Sequence, residues 1–250
     1  MPAAHTPYEL WLRAVAAGGQ GRYAAANAAL AESLAMGPVT RLASLALSTR
    51  ASFLRQLGWH RRAHDWDGRA LARAGGDAEA SIDALVGLAA DALGIGRLAA
   101  SGALLSRAAG MADGATTLPP RLPIRLAWVR AELAMASGDG RAAVVHARRG
   151  AELAENARPQ LGRHRVKSDV VLAAALCCAG DPAAARTVAD AALEATVAYG
   201  LVPLRWALAC LLSDIGSSVH SAAAIAEVRG RSAAFVTRHG GRWRTAADPR

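Results

Sequence analysis

The segments GRYAAA (21–26), GWHRRA (58–63), GRLAAS (96–101), GDGRAA (138–143) and GDPAAA (180–185) set the architecture of this chain. Each opens on glycine and carries a small residue five positions later. A weaker sixth copy, GSSVHS, lies at 216–221. The glycines recur at intervals of 37, 38, 42, 42 and 36 residues. Between them apolar residues return every three or four positions, as in Leu42, Leu45 and Ala46, Leu85, Leu88, Ala89 and Ala92, or Val170, Leu172, Ala173 and Leu176. That spacing lines one face of a helix, and alanine and leucine are strong helix formers. Alternation with period two is scarce, so strands are not expected. The pattern therefore predicts an all-α chain: an α-solenoid of about five or six antiparallel helical hairpins, each running helix A, glycine turn, helix B. The glycine closes helix A, and the small residue lets helix B approach it.

Local signals agree. Thr6, Pro7 and Glu9 have the order of a capping box with proline at the first helical position, and Asp181-Pro182 repeats the cap-then-proline order. The run DGATTLPPRLP at 113–123 holds three prolines and predicts a loop. It divides three N-terminal hairpins (1–112) from two or three C-terminal ones (124–241), with 242–250 left as a fraying tail.

The repeat unit resembles a degenerate tetratricopeptide repeat. That family's pattern has a small residue midway along helix A, a glycine turn, an aromatic soon after it, small residues along helix B and a closing proline. The first unit matches with Ala14, Gly21, Tyr23, Ala26, Ser33 and Pro38. The second matches with Ala51, Gly58, His60, Ala63 and Ala70, with Gly75 in place of the proline, and the fifth with Ala173, Gly180, Ala185 and Ala192. The resemblance spans nearly the whole chain, at a period longer than the family's usual one. It implies a right-handed superhelix whose first helices line a concave groove for an extended peptide. On this alignment Trp11, Ser48, Ser52, Arg55, Trp128, Glu132, Lys167 and Trp206 face the groove.

Composition narrows the rest. The 250 residues are 53% hydrophobic, which supports a packed core and argues against disorder. The longest apolar run, Val170 to Ala179, is about half of what a bilayer requires, so no membrane span is expected. The opening MPAAHTPYEL lacks a signal-peptide layout, and the Cys177, Cys178 and Cys210 spacing fits neither a disulfide framework nor a zinc site, so a cytoplasmic location is expected. Lysine plus arginine number 29 against 20 acids, giving a net charge of +9. Lys167 stands alone among arginines in an alanine-rich chain, as in a GC-rich coding sequence. The charge allows contact with acidic proteins or phosphates, but with no basic run longer than three residues scattered solvated arginines are expected over a dedicated nucleic-acid surface.

Chemical motifs are weak. Gly19-Gln-Gly21, Gly94-Ile-Gly96 and Gly138-Asp-Gly140 begin relaxed dinucleotide fingerprints, but a helix rather than a strand precedes each, so no cofactor is expected. His60, His64 and Asp67 share one helical face with metal-ligand spacing, yet His60 also fills the repeat's aromatic slot, and no metal is expected. Asp77, Glu79, Asp139 and Asp181 fall at helix starts as caps and dipole partners. Cys177 and Cys178 are read as a buried, inert pair. No nucleophile elbow or phosphate loop occurs, so an enzyme is not expected.

The leading expectation is a non-catalytic protein-interaction or scaffold module, holding a protein or peptide partner in the concave groove. A regulatory or sensor module serving a transcription regulator, and an arginine-rich nucleic-acid-binding repeat, are the alternatives. Assembly with further copies of the chain stays open. Tryptophans Trp11, Trp128 and Trp206 fall in first helices, Trp59 and Trp66 at or after a glycine turn, and Trp243 near the end.

Overall fold

The computed structural model describes residues 3–245 and residue 248, and among these it contains twelve α-helices and no strand. They are α1 (Pro7–Gly19), α2 (Tyr23–Ala35), α3 (Thr40–Gln56), α4 (His60–Arg73), α5 (Ala78–Gly94), α6 (Leu98–Asp113), α7 (Arg121–Ala136), α8 (Gly140–Asn156), α9 (Gly162–Cys178), α10 (Pro182–Tyr199), α11 (Val202–Ile215) and α12 (Ala222–Arg238). The all-α expectation holds, and α1 to α10 form five consecutive pairs, as in a repeat solenoid.

The periodic glycines form one recurring turn. In the first five pairs the residue after the glycine donates its N–H to the carbonyl five positions back: Arg22 to Ala17, Trp59 to Leu54, Arg97 to Ala92, Asp139 to Ala134 and Asp181 to Leu176, at 2.8–3.0 Å. This closure forces the glycine into the left-handed region, where Gly58 has φ +88°. The small residue five positions on is then fully buried in every pair: Ala26, Ala63, Ser101, Ala143 and Ala185. Helix pairs packed through such positions approach closely, which is why an alanine-rich sequence can build this core.

The sixth pair departs from the pattern. Gly216 bonds back only to Leu212, and a link through 216–221 follows instead of a tight turn. Asp190 of α10 holds that link by accepting from the Ser217 hydroxyl (2.6 Å) and the Ser218 N–H (2.8 Å). Ser221 is exposed and caps α12 by accepting from the Ala224 N–H (3.2 Å), so it is not the buried small residue of the repeat. α12 lies less closely along α11 than the other second helices do along their partners.

Helix starts follow the sequence. Thr6 and Glu9 form the capping box, with Thr6 Oγ1 accepting from the Glu9 N–H at 3.2 Å and Glu9 accepting from the Thr6 N–H at 3.0 Å. Asp77, Asp139 and Asp181 cap α5, α8 and α10 by accepting from N–H groups three residues on, at 2.8–3.0 Å. Glu79 instead pairs with Arg41. The proline-rich link is shorter than expected, because α7 begins at Arg121 with Pro120 at its N-cap. Pro123 sits in the first turn, where the missing N–H breaks no helical bond.

Two compact units result. One comprises the described residues of Met1–Pro119 and Thr237–Arg250, the other Pro120–Val236. In the first, α1, α3 and α5 pack in sequence, with Leu10, Tyr23, Leu30, Leu45, Ile82 and Leu85 fully buried. In the second, α7, α9 and α11 do the same around Ile124, Trp128 and Val171 and around Leu193, Leu208 and Leu212.

The end of the chain differs from expectation. Residues 242–245 do not fray: the Arg244 N–H donates to Leu57 O at 2.9 Å, and the Ala24 N–H donates to His239 O at 2.8 Å. Gly240, at φ +88°, lies against Ala24, where a Cβ would come within 2.7 Å of the alanine methyl. The remainder of the expected tail, residues 246, 247, 249 and 250, lies outside the described residues, as do Met1 and Pro2. No helix is long and apolar enough to cross a membrane among the described residues.

Candidate functional site

The residues expected to face a groove divide between the two units, and several are occupied in holding helices together. In the first unit Trp11 is 8% exposed, and its indole N–H donates to Thr49 Oγ1 at 2.9 Å, tying α1 to α3. Ser48 is buried, and the Ser52 hydroxyl donates to Thr49 O at 2.7 Å. In the second unit Trp128 is 6% exposed, stacks on His164 at 5.4 Å, and donates from its indole N–H to Ser168 Oγ at 2.8 Å. The Trp128 ring is therefore packing between α7 and α9. Glu132 and Lys167 do meet across those two helices, at 3.1 Å, but they neutralise one another. Trp206 on α11 is half-buried.

Arg55 shows why pattern alone misplaced some of these side chains. Its guanidinium turns inward between α3, α4 and α5, where Nη1 donates to Asp67 Oδ2 (3.0 Å), Asp91 Oδ1 (2.5 Å) and Gly87 O (3.0 Å). Both carboxylates are completely buried. Room for them is made by glycine: a Cβ on Gly87 would fall 2.2 Å from Asp67 Oδ2, and one on Gly94 would fall 2.2 Å from His60 Nδ1. Burial pushes the Asp67 carboxyl up to about 7, with Arg55 opposing and Asp91 adding to the rise. Burial also works against the charged guanidinium, but Asp67 and Asp91 outweigh it and hold Arg55 above its ordinary value. Such a cluster fixes helix register, because removing one member strands buried charge.

Asp67 faces Arg55, while His60 Nδ1 lies 3.9 Å from Asp91. Among the described residues no group of three or more metal-binding side chains converges. The cysteines are free, and Cys178 is exposed rather than buried, because it ends α9 on the outward side of the turn. His164, enclosed by packing and faced by Arg163, Arg125 and Arg121, is pushed down to about 3 and stays neutral.

A constellation of exposed and partly exposed arginines around a buried Trp59 and a half-buried Trp66 lies elsewhere in the first unit, around the segment 58–66. Trp66 carries the Arg50 guanidinium over its ring at 4.1 Å and that of Arg69 at 5.0 Å. Trp59 carries Arg62 at 4.4 Å and Arg242 at 5.4 Å. Its indole N–H donates to Arg242 O at 2.7 Å, which anchors the returning chain. Two clefts adjoin there, of about 280 Å³ and about 490 Å³, sharing Trp59 and Arg62. Arg50 and Arg242 line the first, Arg61 and Arg244 the second, and no aspartate or glutamate lines either. A guanidinium lying over an indole keeps its N–H edges free to fork a carboxylate or phosphate.

The sequence held one trace of this site. GWHRRAHDW at 58–66 concentrates two tryptophans and two arginines, but nothing in that pattern shows that the arginines lie over the indoles. Arg242 and Arg244 arrive from a remote segment and left no signal. No family model matches the chain, and no curated protein matches it in sequence.

Proposed function

We propose that the chain is a non-catalytic protein-interaction or scaffold module, a tetratricopeptide-like helical repeat that holds a segment of a partner protein. The observation that carries this reading is the coexistence of a repeated turn with arginines stacked on tryptophan rings at the edges of open clefts. Five glycine turns of one geometry set the helix pairs, and a buried ion cluster locks α3, α4 and α5. Against this frame, guanidiniums stacked on Trp59 and Trp66 project from helical positions into open clefts. Preorganised aromatic and arginine side chains are the residue types that dominate binding hot spots. Of the groove residues expected from sequence, Ser52, Glu132, Lys167 and Trp206 retain partial exposure and remain contact candidates.

The test is cross-linking of the full chain to proteins of its native lysate, with the cross-linked positions mapped. Discrete partners linked to the first helices or to 58–66 support the reading. Cross-links scattered over the whole surface, or none above an unrelated helical control, overturn it.

A further inference from the structure

Resting on the interaction-module reading, we propose that the paired clefts around Trp59 and Trp66 bind an acidic polypeptide segment. Three observations converge. The first is charge: Arg50, Arg61, Arg62, Arg242 and Arg244 line the clefts with no carboxylate among the lining residues. The second is geometry. The Arg50 and Arg62 guanidiniums lie over indoles at 4.1 and 4.4 Å, so they are positioned at the clefts before a ligand arrives.

The third observation separates peptide from nucleic acid. The chain's own terminal segment already lies here, held by its main chain. Its Arg242 carbonyl accepts from the Trp59 indole N–H at 2.7 Å, and its Arg244 N–H donates to Leu57 O at 2.9 Å. Asp248 of the same segment places a carboxylate 3.0 Å from Arg242 Nη2. The surface thus already holds a polypeptide through main-chain groups, and Arg242, itself part of that segment, shows a guanidinium at the cleft edge paired with a carboxylate. Base stacking, on which single-stranded nucleic acid depends, needs bare aromatic faces. Here guanidiniums lie over both indole rings.

The experiment is fluorescence anisotropy of the full chain with a short labelled peptide of alternating glutamate and alanine. A labelled oligouridylate of equal length is measured beside it. The peptide should bind, and Arg50→Ala with Arg62→Ala should weaken it about tenfold or more, which corresponds to losing strong charge-assisted contacts. Arg62→Lys should recover only part of the loss, because lysine restores charge without the planar fork. Arg148→Ala with Arg149→Ala, which removes two exposed arginines from α8, should leave binding unchanged. Equal losses in the cleft and α8 variants would show diffuse charge attraction and overturn the proposal. Tighter binding of the oligouridylate would overturn it in favour of nucleic acid. No peptide binding at about 50 mM salt would also overturn it, since electrostatic contacts are strongest there. In that last case mapped cross-links to the first helices would leave the broader interaction reading standing.

Discussion

Asp67→Asn isolates the energetic cost of charge in the core of the first unit. Burial lifts the Asp67 carboxyl from an ordinary 3.8 to about 7, despite Arg55 at 3.0 Å. A carboxyl raised on folding binds its proton more tightly in the native state than in the unfolded chain. Stability from this group is therefore gained as pH falls through 7 and is lost as pH rises through it. Between pH 8 and pH 5 the native carboxyl crosses about two pH units below its midpoint while the unfolded one stays ionised, which corresponds to about 2–3 kcal/mol. The wild-type profile alone will not show this, because His164 in the second unit runs the opposite way. Its pKa is pushed down to about 3, so on acidification the unfolded imidazole takes a proton that the native one refuses. The informative quantity is a difference, measured by urea unfolding of wild type and Asp67→Asn across that range. Wild type should gain about 2–3 kcal/mol relative to the variant on going from pH 8 to pH 5. A difference that stays flat within about 0.5 kcal/mol, the usual scatter of such comparisons, would refute the buried, strained carboxyl.

Four further outcomes follow from the same coordinates. His164→Phe should remove an acid sensitivity of up to about 2 kcal/mol between pH 8 and pH 5, visible as a smaller shift of the unfolding midpoint. Trp128→Ala should cost about 3–5 kcal/mol in thermal or urea unfolding, because the ring fills the space between α7 and α9. Ala63→Leu should cost about 1–3 kcal/mol by overpacking a position with no exposed surface, and a thermally silent variant would refute the close approach of α4 to α3. Trp59→Phe keeps an aromatic ring but removes the N–H that holds Arg242 O, so hydrogen exchange at the Arg244 amide should accelerate while that of α3 stays slow.

What could be read from sequence followed the range of the interaction involved. The turn glycines were legible because closure of Gly58 depends on atoms from Leu54 to Trp59, all within one local segment. The buried state of Ala63 and Ala185 followed from the same local geometry. Arg55, Ser48 and Trp128 were harder. Helical spacing shows that residues share a face, but not whether that face turns towards solvent or towards the next helix. The outcome for Arg55 was fixed by Asp67 and Asp91 and by the absence of a side chain at Gly87, none of which a periodicity measures. Ser221 failed as a repeat residue because Asp190 binds the preceding serines and draws the link open. Residues 242–245 were invisible for a different reason. Their anchors are main-chain groups on Leu57 and Ala24 and a single indole N–H, and a main-chain bond carries no side-chain signature.

The positive charge of the chain acquires a location from these contacts. Asp67, Asp83, Asp91, Asp190 and Glu79 are all buried, and no arginine or lysine among the described residues is buried to the same degree. Acids withdrawn inward leave the accessible surface more basic than the net +9 alone conveys. The arginines that remain outside are not uniformly solvated either, because those over Trp59 and Trp66 are held in fixed orientations. Charge in this protein therefore performs two separable tasks. Inside, it sets the register of α3, α4 and α5 and is coupled to folding; outside, it lies over aromatic rings, where the proposed function would couple it to association. The separation makes a reciprocal expectation. Asp91→Asn should alter the unfolding free energy by about 1 kcal/mol or more while leaving the affinity of a glutamate-containing peptide within about twofold. Arg62→Lys, at an exposed position on α4, should shift unfolding by no more than about 0.5 kcal/mol while weakening the same peptide several-fold. If either variant moves both quantities together, the buried cluster and the clefts act as one system, and the division drawn between them fails.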